Sequence, residues 1–168
     1  MTITNTAPAD VDALLSLYQS AINYQKTKTA YTWQPFDRAA VQREIEQGSQ
    51  WKILIDGQIA CVFLTTFSDP AIWGHRNTQP AIYIHRIVTA PAFKGQKLVQ
   101  HIVEWARNHA RTHNRQWVRM DTWGDNHELI NYYLQFGFTH IDTITPDQTG
   151  KLPSYYNCIS LALLQMEA

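Results

Sequence analysis

Cysteine is scarce in this chain: Cys61 and Cys158 lie far apart and form no Cys-x-x-Cys spacing. That argues against a disulfide framework and a cysteine-based zinc site, and leaves both thiols as buried, reduced structural residues. Net charge is absent as well, since 14 lysines and arginines balance 14 aspartates and glutamates. Without a net positive field the chain is not expected to hold nucleic acid or an acidic membrane surface. Long hydrophobic runs are missing, each being broken by polar or charged residues, and the N-terminal MTITNTAPADVD lacks the basic and apolar regions of a signal peptide. The expectation is a soluble, cytoplasmic protein, and its length fits one domain over residues 1–168.

What is present alternates between helix-like and strand-like patterns. Val11, Leu14, Leu15, Tyr18, Ala21 and Ile22 follow helical spacing, with Pro8 acceptable in a first turn. A second helix is predicted from Asp37, a natural N-cap, to Gly48, with Phe36 and Val41 placed for a hydrophobic staple. WKILI and QIACVFLTTF flank Asp56-Gly57, the dipeptide best suited to a tight hairpin. Pro70, Gly74, Asn77 and Pro80 mark Ser68 to Pro80 as a loop, followed by a strand, AIYIHRIVT. A long helix from Gly95, a strand QWVRMDTW, a short helix HELINYYLQF, and extended segments Thr139–Thr145 and Tyr155–Leu164 complete the order.

Two stretches carry candidate chemistry. TAPAFKGQKLVQ joins a strand to a helix, and a helix N-terminus offers unpaired backbone N–H groups and a positive dipole end to a phosphate. A plain structural junction has the same appearance. In NHELINYYLQFGF, Asn126 stands at a helix cap, Tyr133 follows seven residues later, and Gly137-Phe138 four further on. Alone, this reads first as a capped helix with a core aromatic.

Taken together, the two stretches resemble the GNAT superfamily of acetyl-CoA-dependent N-acetyltransferases, most strongly from Tyr83 to Ile141. The resemblance implies an α/β (α+β) GNAT fold: a mixed, mostly antiparallel sheet of about seven strands flanked by about four helices, splayed between the fourth and fifth strands. It implies acetyl-CoA as cosubstrate, with backbone groups of Ile87, Val88 and Thr89 meeting pantetheine and the loop Lys94, Gly95, Gln96, Lys97, Leu98 and Val99 cradling the phosphates. Here the sequence departs from the family pattern, because lysine and valine stand at Lys97 and Val99 where the family has small residues. Lys97 is suited to pair with a phosphate, and Val99 fits if its side chain turns toward the sheet. Asn126 is implied to contact the cofactor while capping its helix, and Tyr133 to protonate the leaving thiolate.

An alkylammonium acceptor has a pKa of roughly 10, so a base must take its proton. His85, alternating with Tyr83 and Ile87 on one strand face, is the first candidate, assisted by Asp121 on the neighbouring strand. The alternatives are a structural histidine, and for Asp121 a salt bridge to Arg86 or Arg119. Tyr24, Tyr31, Trp33, Tyr83, Tyr155 and Tyr156 supply aromatic walls for an acceptor, and no acidic cluster announces a polyamine site. The expected activity is transfer of acetyl to a primary amine of a small molecule or peptide by direct attack in a ternary complex, with no metal. The other reading is a GNAT-fold binding or regulatory module with little turnover. The family resemblance is compatible with a homodimer, although no interface is legible.

Overall fold

The structure is a computed structural model that describes residues 1–28, 31–146 and 159–168. Its strands are β1 (Thr2–Asn5), β2 (Gln50–Ile55), β3 (Gln58–Thr66), β4 (Ala81–Thr89), β5 (Trp117–Trp123), β6 (Thr139–Ile144) and β7 (Leu161–Glu167). Its helices are α1 (Val11–Lys26), α2 (Arg38–Glu46), α3 (Pro70–Trp73), α4 (Leu98–Thr112) and α5 (His127–Leu134). The strands form one sheet in the order β1-β2-β3-β4-β5-β7-β6, with β4 and β5 parallel and the other recorded pairings antiparallel. No helix among the described residues is long and apolar enough to cross a membrane.

The chain divides into two compact units, and the division runs through β4 between His85 and Arg86. The first holds residues 1–65 and 86–99. Its core joins Val11, Leu14 and Tyr18 of α1 to Val41 and Ile45 of α2 and Val62 and Val88 of the sheet. Full burial of each such aliphatic side chain stabilises by about 1.5–3 kcal/mol. The Asp37 carboxylate accepts from the Ala40 N–H at 2.9 Å and fixes the start of α2, while Phe36 packs against the core that contains Val41. At the β2–β3 turn both Asp56 (φ 50°) and Gly57 (φ 77°) are left-handed, as a tight type I′ hairpin requires. A polar chain crosses this unit. Tyr18 donates to Gln50 Oε1 (2.9 Å), Gln50 to Glu44 (2.8 Å), and the Arg86 guanidinium to both Glu44 oxygens (3.0 and 2.9 Å) while lying over Phe36. Arg86 takes a positive φ of 53°, so the regular alternation along β4 is interrupted immediately after His85.

The second unit holds residues 66–85 and 100–168. Ile72, Trp73, Ala81, Tyr83, Leu161 and Leu163 belong to its core, and Ile102, Ala106 and Ala110 are the fully buried residues of α4. The ladder between β4 and β5 runs from Ala81↔Trp117 to Ile84↔Met120, and both strands continue past it. The stretch Ser68–Pro80, expected to be a loop, contains α3 and a 3-10 turn (Gly74–Thr78). One turn of helix is too short to show periodicity beside its proline and glycine. The long helix begins at Leu98 rather than Gly95, and the last strand at Leu161. The part of the final extended segment that includes Tyr155, Tyr156 and Cys158 lies outside the described residues.

Candidate functional site

In the first unit, β4 leads through a 3-10 turn (Pro91–Phe93) into the loop that precedes α4. Ile87 and Thr89 are half-buried, Val88 belongs to the core, and the Thr89 hydroxyl lies 3.6 Å from Cys61 Sγ. Residues Lys94 to Lys97 are exposed, whereas Leu98 and Val99 are buried. Val99 therefore presents no branched side chain to solvent at the helix start. Gly95 (φ 82°) and Lys97 (φ 54°) are both left-handed, so Lys97 keeps a backbone shape that glycine adopts without cost. The Lys94 ammonium lies 4.4 Å from the centre of the exposed Tyr24 ring. This loop combines two lysines with the start of a long helix and has no carboxylate of its own, which suits an anion.

In the second unit, His85 is held between two carboxylates. Its Nε2 is 3.6 Å from Asp69 Oδ2 and its Nδ1 is 3.7 Å from Asp121 Oδ1, longer than hydrogen bonds. Ligand atoms of the three residues all lie within 4.8 Å of one another. Asp69 precedes α3, and its backbone N–H donates to Asn77 Oδ1 at 2.7 Å. The side chains of Asp69 and Asp121 are only 11% and 9% exposed, and Asp69 Oδ2 and Asp121 Oδ1 receive no hydrogen bond. Burial pushes the Asp69 carboxyl up to about 6, and burial together with the Asp69 charge pushes Asp121 up to about 7. Such a cluster is equipped to take or release a proton near neutrality.

Two expectations about charge change accordingly. Asp121 pairs with neither Arg86 nor Arg119: Arg86 is taken by Glu44, and Arg119 by uncharged acceptors. The chain also does contain an acidic pair, Asp69 and Asp121, which folding assembles from distant positions. Asp69 was not legible because it stands in an Asp-Pro dipeptide that reads as a turn.

On α5, the Asn126 side chain accepts from the Leu129 N–H at 3.0 Å, which is the cap its position implied. Tyr133 is 8% exposed, with its ring 6.5 Å edge-on from Phe138. Among the expected acceptor walls, Tyr31 is exposed and Trp33 packs beside Tyr18 and Phe36. Tyr83 is fully buried against Trp73, and its hydroxyl accepts from Arg119 Nη1, so it is a packed core residue.

Residues 15–138 match the family model of the acetyltransferase (GNAT) family. An uncharacterised N-acetyltransferase of Bacillus subtilis, YesJ, is 26% identical over 98 residues, which cover 56% of this chain and 54% of that protein. The match thus spans about half the length of this curated relative. An acetyltransferase of the GNAT family from Listeria monocytogenes superposes with a TM-score of 0.79 at 20% identity, covering 99% of this chain and 94% of that one. The yncA structure of Salmonella typhimurium, solved with its cofactor acetyl-CoA, superposes with a TM-score of 0.70 at 16% identity, covering 99% and 93%.

Proposed function

Because the chain belongs to the acetyltransferase (GNAT) family, we propose that it transfers an acetyl group from acetyl-CoA to a primary amine of a small molecule or peptide. The observation that carries this reading is His85, poised between two buried carboxylates whose facing oxygens receive no hydrogen bond. Acetyl-CoA supplies an acetyl group activated as a thioester. In this reading the Lys94–Val99 loop holds its phosphates through backbone N–H groups at the α4 start and the Lys97 ammonium. The left-handed Lys97 and the buried Val99 support that role, since the loop retains the open shape that glycine would give. Main-chain groups of Ile87 and Thr89 bond the pantetheine arm, and an N–H there donates to the carbonyl oxygen as it gains negative charge.

The remaining work is proton transfer. An alkylammonium acceptor loses one proton to the His85–Asp121 pair and attacks as the neutral amine. The C–N bond forms as the C–S bond breaks, the Tyr133 hydroxyl gives its proton to the departing sulfur, and the second proton released by the acylated nitrogen restores the Tyr133 hydroxyl. Amide, free thiol and one proton result. Asn126 contributes by fixing the first turn of the helix that carries Tyr133. Tyr133→Phe is expected to lower turnover about 100-fold while leaving acetyl-CoA affinity in place; unchanged turnover rejects the acid role.

Calorimetric titration with acetyl-CoA beside free CoA, followed by thiol release with a panel of amines, tests the whole reading. Micromolar binding that weakens in Lys97→Ala, with amine-dependent thiol release, is the expected result. Binding without release for any amine replaces the enzyme with a binding module, and absence of binding rejects the cofactor.

A further inference from the structure

The acceptor itself is described by the least satisfied polar atoms of the second unit. Asp121 is nine-tenths buried, and its Oδ1 points toward Nδ1 of His85 without receiving a hydrogen bond. Asp69 Oδ2 is in the same condition opposite Nε2. A buried carboxylate oxygen without a donor is costly, and folded proteins leave few such atoms unless a water, an ion or a ligand completes them. When both carboxylates are ionised the cluster is net negative even with His85 protonated, and a cation with hydrogens to donate is the partner that favours that ionised form.

A single metal ion uses one imidazole nitrogen at about 2.1 Å, whereas here the two ring nitrogens face different carboxylates. One nitrogen of His85 and one oxygen of each carboxylate lie within 4.8 Å of one another, a spacing that a metal ion also fits, so metal binding is an outcome the test must separate from ammonium binding. An alkylammonium carries three donors on a tetrahedral nitrogen and hydrogen-bonds at about 2.7–2.9 Å to carboxylates. Acceptors grouped within 4.8 Å of one another can share such a group.

We propose that Asp69 and Asp121 bind the ammonium form of the amino group that becomes acetylated, so that the acceptor is a cationic alkylamine and Asp69 is a specificity-determining residue. This rests on the N-acetyltransferase reading and adds to it the residue that recognises the acceptor's charge. An aromatic amine, neutral at pH 7, and an alcohol lack the charge that the two carboxylates require. Asp69 is placed for the purpose by α3 and by Asn77, which accepts from its backbone N–H and leaves Oδ2 available.

The test is ligand-observed NMR titration of the full chain, without acetyl-CoA, using n-butylammonium and 1-butanol as probes that differ mainly in charge. Wild type, Asp69→Asn and Asp69→Ala are compared, with circular dichroism to confirm that each variant is folded. The expected result is butylammonium binding that weakens about tenfold in Asp69→Asn, with 1-butanol bound poorly by both proteins. Equal butylammonium affinity in wild type and a folded Asp69 variant overturns the proposal. So does tight, saturable binding of Zn²⁺ or Mn²⁺ that butylammonium fails to displace. A parallel acetyl-transfer assay separates the two layers. Asp69-dependent butylammonium binding with no transfer to any amine rejects the transferase reading but keeps the cation site. Transfer with no Asp69-dependent binding does the reverse.

Discussion

Arg119 and Asp121 stand two residues apart on β5, both ionisable and both largely shielded from water, yet their surroundings treat them in opposite ways. The Arg119 guanidinium is 0% exposed and donates to Gln165 Oε1 (2.7 Å), the Arg76 carbonyl (2.7 Å), the Tyr83 hydroxyl (3.2 Å) and Gln79 Oε1. The rings of Trp73 and Tyr83 cover it at 4.8 and 5.9 Å. Two residues further along, Asp121 keeps an oxygen that receives no hydrogen bond and lies 3.7 Å from His85, which also faces Asp69. A charge whose donors are used by its own core is part of the architecture. One left under-satisfied in a partly open cluster has been given up by the architecture, and its partner comes from outside.

The largest effect that tests this contrast is Arg119→Met. It leaves two amide oxygens, a carbonyl and a hydroxyl without their donor, and is expected to lower unfolding free energy by about 3 kcal/mol or more. Urea denaturation reads the loss, and a change below about 1 kcal/mol would remove the distinction between the two charges. Next comes Asp121→Asn, expected to reduce acetyl transfer about 100-fold while the protein stays folded; full activity would place Asp121 with Arg119 as a structural charge. The smallest effect belongs to the first unit. Lys97→Gly removes a side chain from a left-handed position and is expected to raise stability by up to about 1 kcal/mol, with weaker acetyl-CoA binding if the lysine ammonium meets phosphate. Unchanged acetyl-CoA affinity assigns the loop's role to its backbone alone.

Features governed by local chemistry were legible in the sequence. Asp37 and Asn126 cap the helices at which they were placed, and Asp56-Gly57 turns the hairpin, because caps and tight turns depend on residues within a few positions. Most strand bounds and the mixed, mostly antiparallel seven-stranded sheet also follow the pattern and the family resemblance. The Asp69–His85–Asp121 cluster was only partly visible. His85 and Asp121 could be placed on neighbouring strands, but Asp69 reaches them through a one-turn helix that hydrophobic periodicity does not reveal. The left-handed backbones of Arg86 and Lys97 were equally hidden, since neither residue advertises a positive φ as glycine does. For Arg86, the bidentate Glu44 pair and the Phe36 ring anchor the side chain at the bend, and both are contacts across the fold.

Denaturation of wild type and Asp121→Asn at pH 4.5 and pH 8 shows whether the fold leaves the Asp121 charge unsatisfied. The Asp121 carboxyl is raised from 3.8 to about 7 in the folded protein, so the folded state holds this proton more tightly than the unfolded chain. As pH rises from about 4 the unfolded chain ionises first, stability falls until about pH 7, and above that the loss is complete. Asparagine carries no such penalty. Asp121→Asn is expected to be more stable than wild type by on the order of 1–3 kcal/mol at pH 8, with a smaller difference at pH 4.5. A variant less stable than wild type at pH 8 would contradict it, showing that the Asp121 charge, like that of Arg119, is already satisfied by the fold.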